Sequence, residues 1–266
     1  MLTRAAKLIR HPRRYVPLLL KRLQQRMTPL FRNTAFFFQG QMDVSPRSPW
    51  YNERFVRETG GFFPPGGAGN REICTLEAWD NTRRDMLVLL LRSIVTRGIE
   101  GDFAELGVYK GDTATLLHYY APERVLHLFD TFEGFTERSV AAERERTSHD
   151  VHATHFADTS LDAVKARIAQ KNDSVRFYQG YFPDSIPREL VSSVYAFVHL
   201  DADLFEPIIE GLRFFYPRMQ PGGFIVVHDY NAWPGSRKAV DDFFADKPEI
   251  PVPMPDKSGS ALIVKL

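Results

Sequence analysis

From Phe103 onward the chain alternates short apolar segments with amphipathic ones, a rhythm that few architectures tolerate. The apolar segments are FAELGV (103–108), RVLHLFD (124–130), VRFYQGYF (175–182), VYAFVHLD (194–201) and GFIVVHDY (223–230). Between them lie DTATLLHYY (112–120), stopped by Pro122, and TSLDAVKARIAQ (159–170), which opens on Thr-x-x-Asp and repeats Leu161, Val164 and Ile168. That period and that opening describe capped helices. Further helices are expected around 204–219, ahead of the PGG turn (221–223), and over 236–246. Strands separated by helices pair in parallel and bury both faces, so the pattern predicts an α/β fold with a mostly parallel sheet covered on both sides. TLEAWDNTRRDMLVLLLRSIVTRG (75–98) adds a helix with a Thr-x-x-Ala start and Gly98 as its stop, and ALIVKL (261–266) a strand returning antiparallel to the edge.

In such sheets ligands bind beyond the carboxyl ends of the strands. Glu105 and Gly107 close the first strand, Asp130 the second, Asp201 the fourth and Asp229 the fifth. A buried carboxylate without a partner is expensive, so acids converging at strand ends imply a cationic or proton-exchanging ligand. ELGVYKGDT (105–113) supplies the turn between the first strand and its helix: Gly107 permits the bend, Gly111 lets backbone approach a ligand, and the helix N-terminus offers free N–H groups. Tyr109 and Thr113 stand in the same turn and count with it as cofactor-contacting positions. A dinucleotide site wants Gly-x-Gly-x-x-Gly, whereas this turn has only Gly-x-x-x-Gly, which weakens a dinucleotide-dependent oxidoreductase as an alternative. Glu105 could hold an ammonium group, and Asp130, 25 residues later, could accept both hydroxyls of a ribose. A ribose joined to a zwitterionic amino-acid tail describes S-adenosylmethionine. The other reading of the glycines is a plain structural turn.

Charge divides the chain. Up to Arg32 there are nine Lys and Arg and no acid, which leaves 25 bases against 33 acids in the remainder, a net of −8. The overall charge of +1 argues against a nucleic-acid partner held by phosphate contacts. Residues 1–70, ending in FFPPGGAGN, read as a basic amphipathic arm and linker, and 71–266 as the catalytic domain. The arm, over residues 1–32, suits either peripheral contact with an anionic membrane or a homo-oligomer interface. The single cysteine, Cys74, rules out an internal disulfide and fits a reducing compartment, and no secretory pattern stands out, so a cytoplasmic location is expected.

Six blocks, GDFAELGVYKGDTATLL, LFDTFEGF, FADTSLDAV, FYQGYFPDSIP, HLDADLFEP and PGGFIVVHDYNAWPGSRKAVDDFF, resemble in that order those of the macrocin O-methyltransferase (TylF-type) family. The likeness runs over about 100–245. It implies the Rossmann-like fold of class I methyltransferases, with a seven-stranded sheet. It also implies S-adenosylmethionine bound by Glu105, Gly107, Gly111 and Asp130, with Ser160 and Gly180 near the adenosine. The acceptor would be a hydroxyl of a sugar, a glycosylated small molecule or a glycan. A divalent ion, Mg²⁺ in characterised members, would be held by Asp201 and the pair after the fifth strand. That pair is two aspartates in the family and His228–Asp229 here. His228 is then either a third metal ligand beside Asp201 and Asp229, or a base in a site without metal, with a cofactor-binding protein whose metal site has decayed as the non-enzymatic alternative. Imidazole suits softer transition metals better than hard Mg²⁺.

Methyl transfer requires an acceptor hydroxyl to face the methyl and shed its proton, roles that fall to Asp201 and His228. Asp203 is expected to orient the loop or cap the following helix, and His199 to lie in the core facing away from His228. The polar segment 131–158, with His149, His152 and His155, is expected to form a lid. Tyr109, Phe132 and Phe135 are candidates to line the pocket.

Overall fold

The computed structural model describes residues 80–168 and 173–266, all within one compact unit. The basic arm, the linker and Cys74 lie outside the described residues. In chain order the elements are α1 (Asn81–Arg97), β1 (Asp102–Leu106), α2 (Asp112–Tyr120), β2 (Leu126–Asp130), α3 (Glu137–Thr147), α4 (Leu161–Ile168) and β3 (Val175–Gln179). Then follow β4 (Tyr195–Leu200), α5 (Phe205–Phe215), β5 (Met219–Val227), α6 (Pro234–Phe244), β6 (Val252–Pro253) and β7 (Ala261–Val264). They form one seven-stranded sheet of order β3-β2-β1-β4-β5-β7-β6. The first five strands pair in parallel, and β7 runs antiparallel to both β5 and β6.

All six residues of β4 are buried, as a central strand covered on both faces must be. Its side chains feed two cores, and a register shift between Tyr195 and Phe197 lets the adjacent Ala196 and Phe197 share one. Ala196 and Phe197 join Leu87, Leu91, Leu116 and Val164 from α1, α2 and α4. On the opposite face Val198 and Leu200 pack with Ile208, Leu212 and Phe215 of α5 and with Val240 of α6. The chain order reverses between β1 and β4, so β1 and β4 splay their carboxyl ends into a crevice.

Several expectations are corrected. The PGG triplet (221–223) is not a turn ahead of the fifth strand but lies inside β5. ALIVKL does not form the edge: β7 pairs with β5 on one side and with the two-residue β6 on the other, and β6 gives no sequence signal because it lies among Pro251, Pro253 and Pro255. The polar segment 131–158 folds α3, capped by Thr136, whose hydroxyl accepts from Ser139 N at 3.1 Å. Helix α1 is capped by Asp80, which accepts from Arg83 N at 3.1 Å, and Gly98 ends it in the left-handed conformation that a side chain would strain. The Thr75 start lies outside the described residues. For α4 the capping oxygen is Ser160, accepting from Ala163 N at 3.3 Å, while Thr159 donates to the Tyr109 carbonyl at 2.5 Å.

Candidate active site

The glycine turn is built against the end of β4. Gly107 has φ +87°, and a Cβ there would overlap the carbonyl oxygen of Asp201. Gly111, at φ +82°, begins α2, and a Cβ there would press on Val164 and Ile168 of α4. Asp130 holds the turn in place. Its Oδ2 accepts from Val108 N at 2.6 Å and Tyr109 N at 2.8 Å, and its Oδ1 from Phe132 N at 2.6 Å. Thr131 Oγ1 adds only a long contact to Oδ1, 3.4 Å, since its proton goes to the Gly134 carbonyl at 2.6 Å, so about one of the carboxylate's roughly four lone-pair sites is left for a ligand.

These groups border a cavity of about 490 Å³ at the carboxyl ends of the strands. Glu105, Gly107, Tyr109, Thr113, Asp130 and Gly180 line it, as do Asp201, His228 and Asp229. Gly111 and Ser160 are not among its walls. Tyr109 donates its hydroxyl to Asp158 at 2.6 Å, and Phe156 packs edge-on against the Tyr109 ring at 5.3 Å. Phe135 meets both Phe156, at 5.4 Å, and Trp233, at 6.0 Å, giving an aromatic cluster at the cavity wall. Phe132 is buried in the core instead. The lid histidines pack on aromatic rings, His149 on Trp233 and His155 on Phe135.

At the inner end Nδ1 of His228 donates to Asp201 Oδ1 at 2.8 Å and approaches Asp229 Oδ2 at 3.3 Å. Burial opposes a charged imidazole, but the Asp201 charge and the hydrogen bonds to Asp201 and Asp229 outweigh it and raise the ring's pKa to about 9. Burial likewise disfavours the Asp201 carboxylate, yet His228 and Arg83 hold it below the usual carboxylate range. Asp203 is pushed well above that range, first by burial, then by the charge of Asp201 and its hydrogen bond with Asp229. Both Asp203 and Asp229 have left-handed backbones, φ 58° and 57°, a conformation uncommon outside glycine and concentrated at functional sites.

Asp203 therefore does not cap α5. The cap residue is Leu204, and the free N–H of Phe205 donates to Glu143 Oε2 of α3 at 2.8 Å. Nor does His199 face away from His228. Val226 is its partner in the β4–β5 register, so Val226 and His228 share its face, and the two imidazoles lie 6.3 Å apart. His199 is fully buried with Nδ1 3.0 Å from Glu105 Oε1, and burial lowers its pKa to about 3, so it is neutral.

Sequence reading also passed over Arg83. Its guanidinium is 3.3 Å from Asp201 Oδ2 and 3.4 Å from Thr113 Oγ1. The signal was present: Arg83 falls on the stripe of Leu87, Leu91 and Ile94, all fully buried, where a charge needs a reason.

Among the described residues, Asp201, His228 and Asp229 form a cluster able to hold a metal ion, each offering a ligand atom within 4.8 Å of the others. Nε2 of His228 is buried without a hydrogen-bond partner. The donor set of two carboxylates and one imidazole fits a divalent cation.

A seven-stranded, mostly parallel sheet with a glycine turn after β1, an acid after β2 and its cavity at the switch point defines a class I methyltransferase. The family model for macrocin-O-methyltransferase (TylF) matches residues 78–261, and the chain belongs to that family. It is 33% identical over 172 residues to the 8-demethyl-8-(2,3-dimethoxy-alpha-L-rhamnosyl)-tetracenomycin-C 4'-O-methyltransferase of Streptomyces olivaceus, covering 60% of this chain and 64% of that one. It is 29% identical over 164 residues to the mycinamicin III 3''-O-methyltransferase of Micromonospora griseorubida, covering 58% and 64%. The chain thus spans 64% of the length of both relatives. The O-methyltransferase NovP superposes with a TM-score of 0.62 at 21% identity, over 85% of this chain and 93% of that one, a likeness of fold.

Proposed function

We propose that the protein is an S-adenosylmethionine-dependent O-methyltransferase that methylates a hydroxyl of a sugar or glycosylated small molecule with the help of a divalent cation. One observation carries the reading: Glu105, Asp130, Asp201, His228 and Asp229, from four different strand ends, line a single cavity of nucleoside size. The family supports the reaction class. The relatives named for O-methylation of a rhamnosyl tetracenomycin and of mycinamicin III support a glycosylated acceptor.

Asp130 and the turn it organises bind the ribose, and Glu105 at the end of β1 faces the cationic tail. Bound there, a sulfonium donor supplies an electrophilic methyl: the O–C bond forms as the C–S bond breaks, the thioether leaves neutral, and the hydroxyl proton must find a base. Phe135, Phe156 and Tyr109 present apolar faces to the acceptor, exclude water and help to orient it, and orientation of reacting groups is worth up to ~7–11 kcal/mol. In the charge state of the folded chain, His228 already holds a proton and Asp201 is a weakened base. Neither would deprotonate a sugar hydroxyl unaided, which favours metal assistance. Asp201, His228 and Asp229 would hold the ion, which would supply Lewis acidity, and His228 would have to give up its proton to serve as a ligand. Only a hydroxyl already acidified by the ion could pass its proton to Asp201, a weakened base.

The test is transfer of labelled methyl from S-adenosylmethionine to a panel of rhamnosylated acceptors, with Mg²⁺, Mn²⁺ or a chelator. Label should reach the sugar, disappear in chelator and return with added metal. Undiminished turnover in chelator would remove the ion from the mechanism, and protection from heating by NAD(H) but not by S-adenosylmethionine would remove the reaction class.

A further inference from the structure

Among the described residues of the cavity wall carboxylates outnumber cations, whereas the methyl donor presents a carboxylate of its own at the end of its amino-acid tail. Three of these described wall residues are basic. Lys110 is half exposed and bound to Asp158 at 2.5 Å on the outer side of the turn. His228 is engaged by Asp201 and Asp229. The third is Arg83, whose side chain is 5% exposed and permanently charged. It reaches Asp201 at 3.3 Å and Thr113 at 3.4 Å, which places its charge at the cavity wall.

Its position is fixed with care. Asp80 caps α1 through Arg83 N and with its other oxygen accepts from Lys257 N at 2.8 Å, so the root of Arg83 is tied to the β6–β7 loop, whose Ser258 also lines the cavity. The guanidinium then bridges Thr113, at the start of α2, and Asp201, at the end of β4, across the crevice on which Gly107 closes. Glu105 lines the same cavity. An acid and a fixed cation lining one cavity match the two charges of a zwitterion.

The geometry points to Arg83 as the residue that binds the α-carboxylate of the methyl donor, trading its long contact with Asp201 for a paired, bidentate one. This rests on the reading of the cavity as an S-adenosylmethionine site and adds the group that orients the tail. The guanidinium fork matches a planar carboxylate, which a lysine ammonium cannot do.

Calorimetry with S-adenosylhomocysteine and with its decarboxylated analogue, which lacks only that carboxylate, tests it on wild type, Arg83→Gln and Arg83→Lys. Wild type should bind S-adenosylhomocysteine about 10- to 100-fold more tightly than the decarboxylated compound, the scale of a charge-assisted hydrogen bond. Arg83→Gln should close that gap by weakening only the carboxylate-bearing ligand, and Arg83→Lys should close it in part. A merely structural role would weaken both ligands equally, which overturns the proposal, as does a wild type that binds both alike. The wild-type comparison stands even if a variant fails to fold. A wild type that binds neither compound overturns the cofactor reading and this proposal with it, whereas Arg83→Gln with an undiminished gap overturns the role of Arg83 alone.

Discussion

At His228 two opposite pH dependences meet. An imidazole in an unfolded chain titrates near 6.5, and here it is raised to about 9. Its proton therefore stabilises the fold fully below about 6.5, and the contribution, on the order of 3 kcal/mol, is lost as pH rises through 9. Urea midpoints of wild type should fall relative to His228→Asn across that window, and a difference independent of pH would contradict the assignment. Metal uptake should run the other way, because the ligand must first lose its proton: Mn²⁺ affinity measured by electron paramagnetic resonance should tighten by up to about tenfold per pH unit between pH 7 and 9. Uptake that ignores pH would mean that His228 is not a ligand. Asp130, Asp201 and Asp229 were legible in sequence because a parallel sheet brings strand ends together whatever its loops do. Asp203 was not, because its protonation depends on Asp201 and Asp229 meeting it in space. Arg83 could be found only by asking why a charge sits on an apolar stripe.

Helix α3 shows why some elements escape a pattern. Its sequence, ERSVAAERERT, buries only Ser139, Val140 and Glu143, too little apolar surface to mark a helical period. What fixes it is Glu143, almost fully buried, with Oε2 on the first N–H of α5 and Oε1 accepting from Thr147 Oγ1 at 3.0 Å. It also lies against Gly235 in the first turn of α6, where a Cβ would overlap its carboxylate. One side chain thus ties the lid helix to the helix that follows Asp201 and Asp203. Glu143→Ala should cost about 1–2 kcal/mol, the scale of a lost cap, and Glu143→Gln, which keeps an acceptor, clearly less. Equal urea midpoints for the two variants would show that the capping bond carries no weight. The strands and α2 were legible because their residues obey one period throughout. β6 was not, because prolines replace the alternation that marks a strand.

For the whole molecule, the cavity exists only when α1, the glycine turn, the ends of β2, β4 and β5 and the 130–136 and 156–158 segments are all in place. Binding free energy is then folding free energy. A ligand at a hundredfold excess over its Kd should stabilise the protein by about 2.7 kcal/mol, which for a domain of this size raises Tm by roughly 5–11 °C. S-adenosylhomocysteine should produce such a shift in wild type. Asp130→Ala should abolish it and also lower the starting Tm, because the same carboxylate holds the backbone N–H groups of Val108, Tyr109 and Phe132. The two effects separate the roles of Asp130. A variant that melts early but still shows the full ligand shift would keep Asp130 as a loop organiser and remove it from the ribose. A variant with unchanged Tm and no shift would make it a ligand contact alone. Loss of both is the expected outcome, because the carboxylate that shapes the turn is also the one that faces the cavity.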